Sequence, residues 1–197
     1  MDDPVELGAR RAFEGALQSV GPTPAGVTAS ERNGLCLAFV ETRKGRTDLL
    51  GERLRSRFGL RAPTGPRRVA AGSLMWLGVG PGRWLAVAGA AEADFSDALA
   101  EALEGAASVI DQTDGLVVIR VSGPATRDLF AKGLPIDLDA SAFPIDAVAT
   151  SAIAHIAVTI WRLDDASTFE VALSRSVAGD FARWLCESAA EFGLWIE

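Results

Sequence analysis

The order of strand-like and helix-like segments occurs twice along the 197 residues, and this repeat constrains the fold more than any other feature of the sequence. Residues 35–110 alternate short apolar runs with helical apolar stripes in the order β-α-β-β-α-β, and residues 116–196 repeat that order. Both halves share a helix stop, Phe58-Gly59-Leu60 and Phe192-Gly193-Leu194, in which glycine suits a left-handed C-cap. The period is too long for a solenoid, so we predict two similar units that pack their sheets together.

Each half is predicted to be a ferredoxin-like β-α-β-β-α-β unit, which makes the fold class α+β. The first half contains predicted strands at 35–42, 74–79, 83–88 and 106–110, and predicted helices at 47–58 and 93–103. The second half contains predicted strands at 116–121, 147–161, 169–173 and 194–196, and predicted helices at 124–132 and 177–192. Residues 31–197 are therefore expected to form a single α+β domain with halves at about 31–112 and 113–197.

Residues 1–30 are predicted to form an N-terminal arm and a linker. A short helix is expected over Val5 to Val20, and the Gly- and Pro-rich segment 21–26 then ends regular structure. The arm carries Phe13 and Leu17 but has no core of its own. These two side chains are therefore expected to pack on a partner.

Composition and charge exclude several classes of function. The net charge is −7 and the pI is about 4.8, so a general electrostatic association with nucleic acid is not expected. Basic residues cluster only locally, in Arg43-Lys44, Arg53 to Arg61 and Arg67-Arg68, which fits a solvated face, a protein interface or an anion site. Cys36, Cys186 and a single histidine are too few for a closed zinc site. The two cysteines lie far apart and each within an apolar pattern, so both are expected to be buried and reduced.

The sequence also carries no signal for membrane insertion or export. No apolar run reaches the roughly 18 residues of a membrane span. The N-terminus, Met1-Asp2-Asp3-Pro4, lacks the layout of a signal peptide, so a cytoplasmic protein is expected. Tyrosine is absent and tryptophan occurs five times, and large aromatic side chains of this kind are typical of cores and interfaces.

Two motifs invite a functional interpretation but have a simpler structural one. The glycine-rich segment Gly78 to Gly82 lies between two predicted strands, whereas a phosphate-binding loop would open a helix, so a hairpin turn is predicted. His155 is the only histidine and lies on a predicted strand. A catalytic histidine needs an orienting carboxylate and a nucleophile, and the sequence identifies neither, so a core or interface histidine is predicted.

Acidic residues near the centre of the chain are the remaining candidates. Asp111, Asp114, Asp137 and Asp139 flank the region between the halves. Asp111 could be a ligand or a general base in a pocket, but an aspartate at a strand end more often binds turn backbone, and that role is predicted. Ser174-Arg175-Ser176 could bind an anion, although N-capping of the last helix explains the serines. The residues alone therefore predict no catalytic, cofactor or metal site.

Several motifs, taken in order, resemble one protein superfamily. Asp111-Gln112-Thr113-Asp114, followed by a strand that ends in Ser122-Gly123-Pro124, resembles the "D-x-S/T … G-P-x-A" passage of the glycine-cleavage aminomethyltransferases. Phe169-Glu170-Val171 resembles their "F-E-I" passage. The gamma subunit family of heterotetrameric sarcosine oxidase is more similar still. Its matching motifs are Glu31-Arg32-Asn33-Gly34-Leu35, Phe58-Gly59-Leu60, Gly80-Pro81-Gly82-Arg83-Trp84-Leu85, Lys132-Gly133-Leu134-Pro135-Ile136-Asp137-Leu138, Ala142-Phe143-Pro144, Ala154-His155-Ile156 and Glu191-Phe192-Gly193.

This resemblance implies the folate-binding aminomethyltransferase fold and a place in a complex that oxidatively demethylates sarcosine to glycine. The implied partners are the alpha, beta and delta subunits of sarcosine oxidase, with no nucleic acid and no membrane. FAD, FMN, NAD and tetrahydrofolate are implied for those partners, and no cofactor is implied for this chain. Its implied role is structural or in assembly, without catalytic residues of its own.

The sequence departs from the catalytic relatives at two motifs. The aminomethyltransferases have a "T-G-E-x-G" turn before the F-E-I strand, where this chain has Leu163-Asp164-Asp165-Ala166-Ser167-Thr168 and no glutamate. The tRNA-modifying relatives have "K-G-C", where Lys132-Gly133 is followed here by Leu134. Two alternatives stay open: a stand-alone folate-binding aminomethyltransferase-like protein in one-carbon metabolism, and a small-anion sensor that uses the basic cluster around Arg67.

Overall fold

Two β-sheets organise the chain, and the computed structural model describes residues 11–89 and 94–197. The strands are β1 (Val27–Glu31), β2 (Leu35–Thr42), β3 (Arg68–Ala71), β4 (Leu74–Gly80), β5 (Arg83–Gly89), β6 (Ala107–Asp111), β7 (Leu116–Ser122), β8 (Val148–Ile153), β9 (Ile156–Arg162), β10 (Phe169–Ser174) and β11 (Leu194–Ile196). The helices are α1 (Thr47–Phe58), α2 (Phe95–Ala102), α3 (Thr126–Ala131) and α4 (Ala178–Ala189), and a short 3-10 turn at Arg175–Val177 leads into α4. The predicted α+β class is confirmed.

The five-stranded sheet is built from the first half of the chain, in the order β3-β4-β5-β2-β6. All its neighbouring strands are antiparallel. β2, α1, β4, β5, α2 and β6 are the six predicted elements, although residue 93, the predicted start of α2, lies outside the described residues. The edge strand β3 was not predicted. The predicted cap of α1 is present, because Gly59 has φ 63° and its N–H donates to the carbonyl of Arg55 at 3.1 Å.

The six-stranded sheet has the order β11-β1-β7-β10-β9-β8, and its second strand comes from the predicted N-terminal linker. β1 pairs parallel with β11 and antiparallel with β7, and Val27 and Ala29 are fully buried. The linker prediction is therefore wrong for residues 27–30. Val27-Thr28-Ala29-Ser30 alternates only small side chains, and this weak strand pattern directly follows the Gly- and Pro-rich segment.

The predicted β-rich stretch 147–161 contains two antiparallel strands, β8 and β9. They are joined at Ala154 and His155, both of which have positive φ, 48° and 71°. His155 is therefore an exposed turn residue, so the predicted strand position and core location are wrong, and the interface role stays a prediction. Apolar residues on both sides gave no sign of the turn, because it contains neither glycine nor proline.

The N-terminal arm packs on the protein's own core. Residues 12–16 form turns rather than the predicted helix, and residues 1–10 lie outside the described residues. Phe13 is 3% exposed, and its ring centroid lies 6.3 Å from that of Phe181. The carboxylate of Glu31 accepts hydrogen bonds from two backbone N–H groups of the arm at 2.9 and 3.2 Å. The expectation that Phe13 packs on a partner is therefore wrong.

The two sheets pack face to face, and helices cover their outer faces. Alternating side chains send one set to each face of a sheet. The buried apolar side chains between the sheets are Leu37, Leu77, Leu85, Val87, Val118, Val148, Trp161 and Ala172. α1 and α2 pack on the outer face of the five-stranded sheet, and α3 and α4 pack on that of the six-stranded sheet. No helix within the described ranges is long and apolar enough to cross a membrane.

Candidate functional site

A row of polar side chains crosses the inner face of the six-stranded sheet, the face that looks towards the other sheet. Ser30 on β1 lies opposite Arg120 on β7, Arg120 lies opposite Glu170 on β10, and Glu170 lies opposite Trp161 on β9. Residues directly opposite each other on neighbouring strands share a face. Since Trp161 is part of the cluster between the sheets, the whole row lies on the inner face.

Glu170 is the centre of this row. One carboxylate oxygen, Oε1, accepts hydrogen bonds from Arg120 Nη2 at 2.8 Å and Nε at 3.2 Å, and Arg32 Nε lies 3.0 Å from it. The other oxygen, Oε2, accepts a hydrogen bond from Trp161 Nε1 at 3.1 Å. Glu170 is 1% exposed, so all four contacts lie in or at the edge of the protein interior.

The electrostatics of this cluster are asymmetric. Burying a carboxylate is unfavourable unless it is paired and hydrogen-bonded, and Glu170 meets both conditions. The side chains of Arg32 and Arg120 are each 37% exposed, so each arginine contacts the buried carboxylate and is also partly open to solvent. Two positive charges share one negative charge, which leaves the outer part of the cluster positive and rich in N–H donors. Glu170 is thus an ion-pair partner, and the partly exposed arginine side chains can bind a second carboxylate or another anion.

Asp111 has the predicted turn role. It is exposed at the end of β6, and its carboxylate accepts a hydrogen bond from the backbone N–H of Thr113 at 2.8 Å. This bond is the main cause that lowers the pKa of Asp111 from its ordinary value of 3.8. The hydroxyl of Thr113 in turn accepts a hydrogen bond from the N–H of Leu37 at 3.1 Å, which attaches the turn to β2.

The other predicted aspartates lie on exposed loops, outside the inter-sheet row. Asp114 is exposed in the turn after β6. Asp137 accepts a hydrogen bond from the N–H of Asp139 at 2.8 Å. The hydroxyl of Ser141, 2.7 Å from the Asp139 carboxylate, is the main cause that lowers the pKa of Asp139. These contacts are local and close their own loops.

The remaining sequence candidates are also separate from the row. Gly78 to Gly82 forms the predicted hairpin turn between β4 and β5. The hydroxyls of Ser174 and Ser176 lie 2.9 Å apart, and no side-chain N-cap bond is present at the 3-10 turn or at α4, so the capping explanation is wrong. Arg68 is 2.6 Å from Asp146 in an ion pair. Within the described ranges, no three His, Cys, Asp or Glu residues are grouped as metal ligands.

Part of the basic cluster lines a cleft of about 480 Å³ between α1 and the β4–β5 hairpin. Arg55 and Arg61 are exposed beside it, and the indole of Trp84 donates to the carbonyl of Pro63 at 3.1 Å in its wall. No buried charged side chain lines this cleft within the described residues.

The inter-sheet cluster itself was not predicted from the sequence as a site. Its signal was present, because Arg120 interrupts the apolar run Leu116 to Val121 and Glu170 lies between the apolar Phe169 and Val171. A charged residue inside a strand that is otherwise buried on both faces requires a partner. The partner could not be identified, since Arg32 and Glu170 are 138 positions apart and only the fold brings them together.

Comparison with known proteins identifies the family. The family model described as "Sarcosine oxidase, gamma subunit family" matches residues 50–191. The chain belongs to this family. A sarcosine oxidase subunit gamma from Corynebacterium sp. strain P-1 is 28% identical over 120 residues, and one from Arthrobacter sp. is 30% identical over 122 residues. Each alignment covers 61% of this chain and 58% of the relative, so the matched region is less than two thirds of these gamma subunits.

Solved structures extend the similarity to most of the chain. A chain of the heterotetrameric sarcosine oxidase from Corynebacterium sp. U-96, in complex with pyrrole 2-carboxylate, superposes with a TM-score of 0.77 and 25% identity, covering 92% of this chain and 91% of that chain. The glycine cleavage system aminomethyltransferase T from Bartonella henselae superposes with a TM-score of 0.60 and 18% identity, covering 88% of this chain and 48% of that chain. The chain therefore shares its fold with about half of this aminomethyltransferase.

Proposed function

We propose that this chain is the gamma subunit of a heterotetrameric sarcosine oxidase, which oxidatively demethylates sarcosine to glycine. The observation that carries the proposal is the similarity of nearly the whole chain, at 25% identity, to a chain of such a heterotetramer. The family match over residues 50–191 supports it independently. Alpha, beta and delta subunits are the proposed partners, FAD, FMN, NAD and tetrahydrofolate are proposed to bind to them, and the complex is proposed to be cytoplasmic.

Within this complex the chain is proposed to be a structural or assembly subunit without catalytic residues. Glu170 supports this, because it is buried and both its oxygens accept hydrogen bonds from protein donors, so it is not presented to a substrate. Asp111 supports it as well, since its carboxylate closes a turn. We therefore expect a complex that carries Glu170→Gln in this chain, once assembled, to turn over sarcosine at the wild-type rate.

The two halves are proposed to be ferredoxin-like units at about 31–112 and 113–197. When the extra strands are set aside, the first sheet has the order β4-β5-β2-β6 and the second has the order β9-β10-β7-β11. Both orders support the same arrangement of a β-α-β-β-α-β unit. β3 and β8 are the additional edge strands, and β1 is inserted between β7 and β11.

Co-expression tests the main proposal. The full chain, tagged, is produced together with the alpha, beta and delta subunits of the host's sarcosine oxidase and purified. The product is analysed by sedimentation, flavin absorbance and sarcosine-dependent oxygen uptake. We expect one copy of the chain in each flavin-bearing complex. Recovery of the chain only as a free species, with active complex assembling without it, would contradict the proposal.

The alternative, a stand-alone folate-binding protein, has the similarity to aminomethyltransferase T in its favour, and that similarity concerns the fold alone. The turn that replaces the T-G-E-x-G motif counts against it. Burial raises the pKa of Asp164, but hydrogen bonds from the hydroxyl and N–H of Thr168 outweigh burial and lower it, so this carboxylate is engaged within the turn. Titration of the isolated chain with tetrahydrofolate, followed by tryptophan fluorescence, decides between the two. Saturable quenching at micromolar ligand would favour the alternative.

A further inference from the structure

We propose that a larger subunit of the complex docks on the open side between the two sheets, where it covers Ile110 and Trp195 and presents a carboxylate to Arg32 and Arg120. This inference rests on the proposed function, because it assigns the contact face of the same subunit. Four residues on the inner faces define the surface, which we call the open inner face: Arg32, Ile110, Arg120 and Trp195.

The registers put these residues on the inner faces. Trp195 on β11 lies opposite Thr28 on β1, and Thr28 lies opposite Ser122 on β7, two positions from Arg120. Ile110 on β6 lies opposite Phe39 on β2, which packs against the cluster between the sheets. Trp195 and Ile110 therefore lie on the inner-face side of the edge strand of each sheet.

The space is closed at one side and open at the other. At the closed side, the edge strand β8 contacts β4, and the N–H of Val148 donates to the carbonyl of Pro66 at 2.9 Å. Inner-face side chains there, such as Leu77 and Trp161, are fully buried. At the opposite side, Ile110 is 57% exposed and Trp195 is 58% exposed. The inner faces of the two sheets thus form a core at the β8 side, whereas Ile110 and Trp195 are uncovered at the opposite side.

The charges indicate the chemistry of the partner. Arg32 and Arg120 share the single carboxylate of Glu170 and are each 37% exposed, so a positive, donor-rich edge lies within a chain whose net charge is −7. A guanidinium fork matches the geometry of a carboxylate. Tryptophan and arginine are also the residues that most often dominate the affinity of protein interfaces. The fitting partner surface therefore carries an aspartate or glutamate beside apolar side chains.

The test uses the co-expressed complex with variants of the full chain. Ile110→Glu and Trp195→Glu place a charge on the open inner face, and Ile145→Glu is the matched control, because Ile145 is also an exposed large apolar residue, at 38%, but lies on the loop before β8. We expect Ile110→Glu and Trp195→Glu to weaken binding to the larger subunits by at least about tenfold. Ile145→Glu should bind like the wild type, and circular dichroism should show that all three chains are folded.

A second measurement addresses the carboxylate. Wild-type affinity should fall as ionic strength rises, and Arg32→Gln should be weaker at low salt and less dependent on salt, because an ion pair is screened by salt. If the wild type and all variants bind the larger subunits equally, the assignment of the open inner face as the docking surface is overturned, while the proposed function stands. If the wild type binds no larger subunit, the proposed function fails. If the variants disrupt only a homodimer of this chain, the partner assignment is overturned.

Discussion

Each sheet carries one Arg–Glu pair across equivalent strands of its inner face, and the two pairs differ in burial. Glu41 on β2 lies opposite Arg83 on β5 in the first sheet, and Arg120 on β7 lies opposite Glu170 on β10 in the second. Glu41 and Arg83 are 3.9 Å apart, with side chains 63% and 62% exposed. Glu170 is 2.8 Å from Arg120, and its side chain is 2% exposed. The same two residue types, exchanged between the first and third strands of the unit, therefore form a surface pair in one half and a pair with a buried carboxylate in the other.

This difference locates the specialised part of the molecule in the second half. The first sheet contributes apolar side chains to the cluster between the sheets: Leu35, Leu37, Phe39, Met75, Leu77, Val79, Leu85 and Val87. The second sheet contributes the buried carboxylate and the tryptophan that binds it. A buried ion pair is weak evidence for stability, but removal of one partner is strongly destabilising because it leaves the other charge buried and unpaired. Three comparisons of the halves follow, from the largest expected effect to the smallest, and a test of Asp111 comes last.

Glu170→Ala should destabilise the chain far more than Glu41→Ala. Loss of the Glu170 carboxylate leaves the Trp161 N–H and two partly buried guanidinium groups without their acceptor, which we expect to cost about 3 kcal/mol or more. Loss of the Glu41 side chain should lower the free energy of unfolding by less than about 1 kcal/mol, because the Glu41–Arg83 ion pair is exposed and its two charged groups are far apart. Urea unfolding followed by tryptophan fluorescence measures both. Equal losses would show that burial of the pair has no energetic consequence.

Trp161→Phe should destabilise more than Trp76→Phe. Both indoles are fully buried, on β9 and on β4, the second strand of each β-α-β-β-α-β unit. Trp161 Nε1 donates to Glu170, whereas Trp76 Nε1 has no acceptor among the described residues. Both variants lose similar side-chain volume. Loss of the hydrogen bond should therefore lower the free energy of unfolding of Trp161→Phe by roughly 1–2 kcal/mol more than that of Trp76→Phe. Thermal unfolding compares them, and a larger loss at Trp76 would contradict the expectation.

The hairpins should respond in opposite directions at their positive-φ positions. Gly82 has φ 67°, and a Cβ there would lie 2.8 Å from Thr42 Cγ2, so Gly82→Ala should destabilise by about 1–2 kcal/mol. His155 has φ 71° in the β8–β9 turn, so His155→Gly should stabilise by up to about 1 kcal/mol. Melting temperatures measure both. A destabilised His155→Gly chain would show that the imidazole makes a stabilising contact.

Asp111→Asn should have the smallest effect, and the effect should depend on pH. The pKa of Asp111 is lowered in the folded state, so its carboxylate stabilises the fold above the ordinary value of 3.8, and this contribution is lost as the pH falls through the lowered pKa. At neutral pH the free energy of unfolding of the variant should be lower than that of the wild type by less than about 1 kcal/mol, since the group is exposed. The difference from the wild type should vanish in acid. A difference that persists below the lowered pKa would point to a cause other than the charge.

The positions of most helices and strands were predictable from the sequence, but the strands with which each strand pairs were not. The long amphipathic stripes of α1 and α4 and the apolar runs of β2 and β7 carry local patterns that survive without tertiary information. β1 was missed because the small residues Val27-Thr28-Ala29-Ser30 have no decisive pattern, and its pairing with β7 and β11 spans about 90 and 165 positions. The candidate site could not be predicted for the same reason, because Arg32, Arg120 and Glu170 are brought together only by the order of the strands in the sheet.

The sequence by itself determined the α+β class, most of the strands and helices, the turn role of Asp111 and the motifs by which the family is found. These depend on local periodicity, glycine stops and short-range hydrogen bonds, which act within a few residues. Only the tertiary structure decided that the N-terminal segment completes the second sheet, that Glu170 is buried between two arginines, and that Ile110 and Trp195 lie uncovered. Burial and charge pairing depend on which distant segments meet, and a local pattern carries no information about that.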